Sequence, residues 1–264
     1  MRKSLQESPV IEPADGVDGG SNAARGTLGT VRNAVLLLDL LSDGPAYQQL
    51  TELAERSGLS VPTAHRLLRS LVLAEIVQQD ARTSRYSLGP EVVRLAQRYL
   101  ARLPVLAALS PYLVGLRDIL DSSIHVALLA RDSVVYVDRV DAREGGPYRE
   151  SHRVASALET PAGRLLVARA GDESWRRCVA AHNGRLPKDA DELRAELLET
   201  EWLVAPDGLT GVALEAAVVV VDSRGGALAA LSATLPAADP DRSGEVVQHL
   251  QRAAGAAGRT LGHG

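Results

Sequence analysis

The chain has 264 residues, of which 45% are apolar, so it is long enough for two ordinary domains with sizeable cores. A single cysteine excludes an internal disulfide and a cysteine-based zinc site, and it favours a reducing, cytoplasmic location. The net charge of −4 does not by itself indicate a nucleic-acid binder, and without a long apolar run we expect neither a membrane span nor a signal peptide.

The beginning of the chain is predicted to be a disordered tail followed by an apolar helix. Residues 1–26 mix charges with Gly, Pro and Ser and show no periodicity. A helix capped by Thr30 is predicted from Val31 to Ser42, and its inner stripe is formed by Val31, Val35, Leu38 and Leu41. The remaining apolar residues form a second face, for which deep burial and contact with a partner subunit are open alternatives: Leu36, Leu37 and Leu40.

Two short helices joined by a tight turn are predicted between Gln49 and Leu73. Gly58 suits the left-handed position after the first helix, Ser60 suits the N-cap of the second, and Pro62 suits its first turn. The inner face of the second helix carries apolar residues at helical spacing: Ala64, Leu67, Leu68 and Leu71. A helix, a glycine-containing turn and a second helix together indicate a helix-turn-helix.

The outer face of the second helix carries hydroxyl and guanidinium groups. Such groups can reach base edges in the major groove and the flanking phosphates. The candidate DNA-binding residues on and beside this face are Ser60, Pro62, Thr63, His65, Arg66, Arg69 and Ser70. An ordinary solvated helix face is the alternative that this segment alone leaves open.

A hairpin is predicted directly after the second helix. Ile76-Val77 and Tyr86–Leu88 read as short strands, and the polar residues from Asp80 to Ser84 read as the turn between them. A hairpin in this position is the wing of a winged helix, and Arg82 and Arg85 would touch phosphate or a minor groove from its tip and rim. Because acids balance the arginines of this region, we expect DNA affinity to depend on dimerisation.

The second half of the chain is predicted to form an α/β domain after two helices, Pro90–Leu103 and Val105–Leu120. The predicted strands are Ser123–Leu129, Ser133–Val140, Glu215–Asp222 and Gly226–Thr234. The predicted helices are Ala162–Ala170, Trp175–Ala181, Asp189–Thr200 and Asp241–Leu261. Nearly continuous apolar strands indicate a sheet that is covered on both faces.

Three segments, TVRNAVLLLDLLS, LTELAERSGLSVPTAHRLLRSLV and RYSLGPEVVRLA, together resemble the IclR family of bacterial transcriptional regulators. The resemblance extends from about residue 27 to the C-terminus. It implies an α+β fold with a mostly helical N-terminus: a winged helix-turn-helix domain over 27–89, a linker helix over 90–103 and a GAF-like α/β effector-sensing domain over 104–264. It also implies a repressor or activator that binds double-stranded DNA at a palindromic operator, as a dimer or a dimer of dimers.

The resemblance further implies a pocket for a small effector, an organic or aromatic acid, between the sheet and residues 156–166. Thr160, Gly163 and Arg164 match family positions at a helix start, where backbone N–H groups can hold a carboxylate. Ser232 and Thr234 match hydroxyl positions on the last strand, where they can hydrogen-bond a small acid.

Several departures from the family pattern change the expected pocket. Leu214 stands where relatives often carry Cys, and Leu158 stands where they carry His, so the pocket is expected to be more apolar or its ligand larger or different. Ala205 or Asp207 could occupy the place of a displaced acid, and His125 and Tyr136 are further candidates, with core or sheet packing as their default role. Glu215, in an apolar strand, is interpreted as an edge carboxylate that reaches solvent, with ligand contact as the alternative.

Two other classes of function are weighed against a regulator. The sequence contains no G-x-S-x-G, H-E-x-x-H or P-loop motif, so an enzyme on the second domain is a weak alternative and no cofactor or metal is predicted. A winged-helix module that binds proteins without DNA is the other alternative, because the first domain is neutral. Salt-sensitive duplex binding that is lost in Arg66→Ala would contradict both.

Overall fold

A computed structural model of the protein describes residues 19–143, 154–182, 186, 188–206, 213–236 and 242–262. The chain divides into two compact units between Arg98 and Tyr99. The first unit contains α1 (Gly19–Ser42), α2 (Leu50–Ser57), α3 (Val61–Leu73), β1 (Val77–Gln79), β2 (Tyr86–Leu88) and most of α4 (Pro90–Leu100). The predicted domain boundaries at residues 89 and 103 stay predictions.

The second unit alternates helices with the strands of one sheet. Its elements are α5 (Pro104–Leu120), β3 (Ile124–Ala130), β4 (Ser133–Val140), β5 (Val154–Ser156), α6 (Pro161–Arg169), α7 (Asp172–Ala181), α8 (Ala190–Glu199), β6 (Trp202–Pro206), β7 (Ala213–Val221), β8 (Ala227–Pro236) and α9 (Ser243–Leu261). Among the described residues, no single helix is long and apolar enough to cross a membrane, and α4 and α5 pass that test only when they are taken together across the break between them.

The prediction for α1 is wrong at its start and in the first half of its buried stripe. The helix begins at Gly19, so residues 19–26 are not the predicted tail, and residues 1–18 lie outside the described part. Ala23, Ala24 and Arg25 favour a helix, but the three glycines of this segment disfavour one, so helix propensity alone does not account for the extension.

The core of the first unit is formed by Leu37, Leu41, Leu53, Leu67, Leu68, Val77 and Tyr86. Leu41 of the predicted inner stripe is buried there and Leu38 packs against this core, whereas Val31 and Val35 of the same stripe are 60% and 45% exposed. Leu37, from the other predicted face, is fully buried. The apolar residues of α1 offer two stripes of similar hydrophobicity, and only packing against α2 and α3 selects one of them.

In the part of the second unit that the structure describes, the sheet has six strands in the order β5-β4-β3-β8-β7-β6, and each pair of neighbours is antiparallel. The core on one face includes residues of α5 and α9, and the core on the other face includes residues of α6, α7 and α8. The predicted α/β domain with a sheet covered on both faces is confirmed. The sequence missed the edge strands β5 and β6, which are short and lack a regular alternation of apolar and polar residues.

Candidate DNA-binding surface and effector site

The turn between α2 and α3 is fixed by local hydrogen bonds. Gly58 has the left-handed backbone predicted for it, with φ of 68°, and its N–H donates hydrogen bonds to the carbonyls of Ala54 and Glu55. Ser60 caps α3, because its Oγ accepts from the N–H of Thr63 at 3.4 Å, and Pro62 lies in the first turn of the helix. The predicted helix-turn-helix is confirmed.

The outer face of α3 presents arginines to solvent. Ala64, Leu67 and Leu68 are buried on the inner face. Arg66 and Arg69 are exposed, and their guanidinium groups make no hydrogen bond or ion pair with any residue that the structure describes. His65 and Pro62 are also exposed on this helix. These side chains are therefore available to a ligand that carries negative charge or base edges.

The predicted hydroxyl contacts are less available than the arginines, because the helix uses these hydroxyls itself. Ser60 Oγ and Thr63 Oγ1 lie 2.8 Å apart and share a hydrogen bond. Ser70 Oγ donates to the carbonyl of Arg66 at 3.0 Å. Ser60 and Thr63 thus cap the start of α3, the Ser70 hydroxyl is engaged within the helix, and a contact from these three to DNA stays a prediction.

The wing is a two-stranded hairpin in which β1 pairs with β2. Its turn is built around Asp80, whose Oδ1 accepts from the N–H groups of Arg82 and Thr83 at 3.0 and 2.7 Å and from the Thr83 hydroxyl at 2.8 Å. The hydrogen bonds from Thr83, above all that from its backbone, lower the pKa of Asp80. Arg82 is exposed and Arg85 is half-buried, so both predicted wing arginines lie on a preformed turn.

Gln48 links the wing to the first helices, and sequence reasoning missed it. Its backbone exchanges two hydrogen bonds of 2.8 Å with Tyr86 of β2. Its buried side chain donates to the carbonyl of Leu40 at 2.7 Å and accepts from Arg56 Nη1 at 2.6 Å. A polar residue in a loop gives no sequence signal for such a role.

The predicted effector residues at the start of α6 lie together, but the contacts that the structure shows for them are with backbone atoms of neighbouring residues. The buried Thr160 caps α6 by accepting from the N–H of Gly163 at 3.0 Å. A Cβ atom on Gly163 would lie 2.2 Å from the carbonyl oxygen of Ala157, so glycine is required for close packing. Arg164 donates through Nε to the carbonyl of Leu158 at 2.7 Å, and burial lowers the pKa of Arg164. Their effector-binding role stays a prediction.

A buried polar cluster lies on the sheet face that α6 covers, and we define it as His125, Tyr136, Glu215, Ser232 and Thr234. His125 Nε2 is 3.1 Å from Thr234 Oγ1, and the His125 and Tyr136 rings meet edge to face at 5.7 Å. The Tyr136 hydroxyl donates to both carboxylate oxygens of Glu215, at 3.0 and 3.2 Å. The structure thus brings together the predicted residues His125, Ser232 and Thr234 with Tyr136 and Glu215, for which ligand contact was the alternative interpretation.

Two interpretations of β7 are corrected by this arrangement. Glu215 is only 3% exposed, so it is not the edge carboxylate reaching solvent that the sequence favoured. Leu214 packs with the core of the opposite sheet face, because successive side chains of a strand alternate between faces, so it is not part of the cluster. Asp207, the remaining effector candidate, lies outside the described residues.

Ser232 is fully buried at the centre of this face, where it pairs with His125 on β3 and with Ala217 on β7. Its Oγ has no hydrogen-bond partner among the residues that the structure describes. Most buried hydroxyls in proteins are hydrogen-bonded, so an orphaned one within a polar cluster is a feature expected of a ligand site.

Comparison with known proteins agrees with this geometry. The model of the IclR helix-turn-helix domain matches residues 30–81. SauR of Cupriavidus necator, named a probable transcriptional regulator, is 30% identical over 217 residues, which cover 78% of this chain and 85% of that protein.

Solved structures extend the likeness to most of the chain. An IclR family transcriptional regulator from Brucella abortus has a TM-score of 0.74 at 19% identity and covers 97% of both chains. An IclR homolog from Microbacterium hydrocarbonoxydans, complexed with 4-hydroxybenzoate, has a TM-score of 0.66 at 23% identity and covers 88% of this chain and 98% of that one. At these identities the structures show a shared fold. Together with the matched helix-turn-helix domain, they mean that the chain belongs to the IclR family, as a DNA-binding transcriptional regulator with a C-terminal effector-binding domain and not as an enzyme.

Proposed function

We propose that the protein is a ligand-controlled repressor that binds a palindromic operator as a dimer or a dimer of dimers. The observation that carries this proposal is the outer face of α3, where Arg66 and Arg69 are exposed after a well-formed helix-turn-helix. Guanidinium groups bind guanine O6 and N7 in the major groove, which makes them the most suitable sequence readers on this surface. Arg82 and Arg85 of the wing would add phosphate or minor-groove contacts.

Self-association is supported by apolar surfaces on two helices. The helix α4 is amphipathic but has no buried residue, and Leu95 and Tyr99, one turn apart on its apolar face, are 48% and 61% exposed. Val31 and Val35 of α1 are exposed as well. Contiguous exposed apolar residues are expected at interaction surfaces, and a second copy of the chain is the partner that a palindromic operator requires. The two recognition helices would then contact half-sites about 34 Å apart.

The effector is proposed to be a small organic or aromatic acid that binds beside the buried polar cluster. The cluster offers hydroxyl, imidazole and carboxylate groups inside an otherwise apolar layer, which is the composition expected of a small-molecule site. A coupling free energy of about 1–3 kcal/mol between this site and DNA binding would change operator occupancy about 5- to 150-fold.

The proposal is tested by fluorescence anisotropy with duplexes tiled across the gene's own upstream region, against a scrambled duplex and at several salt concentrations. We expect one tile to bind at least about 10³-fold more tightly than the scrambled duplex. Arg66→Ala should weaken binding to that tile by about 1–3 kcal/mol, whereas Arg176→Ala, an exposed arginine of α7, should not.

Each outcome has a definite meaning. If the scrambled duplex binds and no tile binds better, autoregulation is excluded and the search moves to other promoters. If no duplex binds at low salt, the DNA-binding role of α3 is wrong. A selected tile then becomes the reporter for effectors, and an organic or aromatic acid that releases the protein from it would support repression, whereas tighter binding would favour activation.

A further inference from the structure

One hydrogen bond of the buried polar cluster crosses most of the sheet. Tyr136 lies on β4 and Glu215 on β7, with β3 and β8 between them. Both side chains must therefore extend along the sheet face to meet. The same face carries the small side chains of Ala127, Ala217 and Ala230, all fully buried in a core that includes residues of α6. The Tyr136 phenol lies in this layer.

Ser232 adds a second, independent observation on the same face. It is fully buried, and its Oγ lacks a hydrogen-bond partner among the described residues. A buried hydroxyl without a partner lowers stability, so the ligand-free arrangement is incomplete at this atom. The neighbouring Thr234 hydroxyl is already engaged by His125. On this face the Glu215 carboxyl already accepts a hydrogen bond from Tyr136, whereas the Ser232 hydroxyl has no partner among the described residues.

We propose that the effector is a hydroxylated compound whose hydroxyl replaces that of Tyr136 as the donor to Glu215, while Ser232 Oγ hydrogen-bonds another polar atom of the ligand. This inference rests on the proposed function, since it places the effector at the cluster. The Tyr136 phenol is then an internal competitor that holds the site closed when no effector is bound. Glu215 becomes the residue that determines which ligands bind.

The chemistry of the acceptor sets the ligand class. Glu215 accepts the hydrogen bond from Tyr136, so only a ligand group that carries a proton can take the place of the Tyr136 hydroxyl. A ligand carboxylate, ketone or methyl group cannot do so. A ligand that displaces the Tyr136 hydroxyl without replacing its hydrogen bond costs a buried bond, and this is how hydroxyl-binding sites discriminate against analogues that lack the hydroxyl.

The test uses the full chain and two pairs of probes that differ only in one hydroxyl or methyl group: phenol with toluene, and 4-hydroxybenzoate with 4-methylbenzoate. Dissociation constants are measured by calorimetric titration. We expect the hydroxylated member of at least one pair to bind wild-type protein about tenfold or more tightly than its methyl analogue, as for a buried hydrogen bond that only one of them can make. Equal binding of both members in both pairs would overturn the inference.

Two variants separate this mechanism from a purely structural role of the hydrogen bond. Tyr136→Phe removes the internal competitor, so it should lower the melting temperature of the free protein yet increase affinity for the hydroxylated probe by about tenfold. The double variant Tyr136→Phe with Glu215→Leu replaces both partners by apolar groups, so it should fold stably and bind both members of a pair equally. If no hydroxylated probe binds Tyr136→Phe, or if the double variant keeps the preference, the inference is wrong.

Operator binding measured in parallel distinguishes failure of this inference from failure of the proposed function. A protein that binds its operator but shows no hydroxyl preference overturns the effector class alone. A wild-type protein that binds no operator overturns the regulatory proposal itself.

Discussion

Gln48 and Tyr86 exchange two backbone hydrogen bonds of 2.8 Å each, so the loop before α2 pairs with strand β2 of the wing. The Gln48 side chain meanwhile bonds the carbonyl of Leu40 and the guanidinium of Arg56. One residue thus connects α1, α2 and β2 within the first unit. This connection holds the wing, which carries Arg82 and Arg85, against α1 and α2, and these two helices share a core with α3.

The first prediction follows from the burial of Gln48. Gln48→Ala leaves the Leu40 carbonyl and Arg56 without their partner, and an unsatisfied buried polar group costs about 1–3 kcal/mol. We expect the free energy of unfolding of the first unit, measured by urea titration with circular dichroism, to fall by that amount. Gln78→Ala, at an exposed position of β1, is the control and should change it by less than about 0.5 kcal/mol. Equal effects would show that the side-chain bonds of Gln48 contribute nothing.

A second prediction concerns pH and the wing. The folded-state pKa of Asp80 lies below its ordinary value because Thr83 and Arg82 donate to the carboxylate. The stabilisation from these bonds is therefore fully present above the ordinary pKa of an aspartate and is lost as pH falls through the lower folded-state pKa. We expect the amide protons of Arg82 and Thr83 to lose protection from hydrogen exchange as the pH falls through that value.

Asp80→Ala should abolish the same protection already at neutral pH, because the alanine side chain accepts no hydrogen bond. The control is Asp39→Ala on α1, outside the wing. Amide exchange at Arg82 and Thr83 that is unchanged in Asp80→Ala would mean that the backbone bonds between Asp80 and residues 84 and 85 hold the turn without the carboxylate.

Local signals were sufficient for the helix-turn-helix, whereas the effector face depended on contacts distant in sequence. Gly58 and Ser60 determine where α2 ends and α3 begins through bonds within a few residues, so their roles could be predicted from the sequence. The cluster joins Tyr136 to Glu215 across three strand pairings, and no pattern in β7 alone indicates that partner. A carboxylate in an apolar strand can reach solvent at an edge, or it can lie buried against a polar partner. Only the register of β7 with β8 decides between these two positions.

The same distinction applies to helices. The start of α6 was predicted from Pro161, and Thr160 at its N-cap is a local feature. The buried stripe of α1 was not predictable, because adjacent leucines provide two stripes and packing in the folded unit selects Leu37 with Leu41. The sequence resemblance supplied Gly163 as a ligand position, whereas its close approach to Ala157 gives the residue a packing role as well.

A third prediction uses that packing role. Gly163→Ala would place a methyl group 2.2 Å from the Ala157 carbonyl oxygen, which is backbone and cannot move aside without cost. We expect the second unit to lose about 1–3 kcal/mol, as in other overpacked sites. Gly115→Ala in α5 meets nothing within 4 Å and should be neutral or stabilising by up to about 1 kcal/mol.

Trp175 and Trp202 both lie in the second unit, so tryptophan fluorescence during urea unfolding reports on it directly. The opposite order of stabilities would contradict the packing argument.

The last prediction tests self-association through α4. Ala96 lies on the same face of this helix as Val92 and Tyr99, at helical spacing, and it is exposed in the single chain. If this face is covered by a second copy, Ala96→Glu would bury a charge in an apolar contact, which is costly unless the charge is paired. We expect the variant to sediment as a smaller species than wild type. It should also bind the palindromic operator more weakly, because two chains that are no longer joined must bind the two half-sites independently.

Gln97→Glu adds the same charge on the polar side of the same helix and should leave both the mass and the affinity unchanged. An Ala96→Glu protein of wild-type mass would mean that α4 is not part of the dimer contact, and the exposed Val31 and Val35 of α1 would then be the surface to alter next.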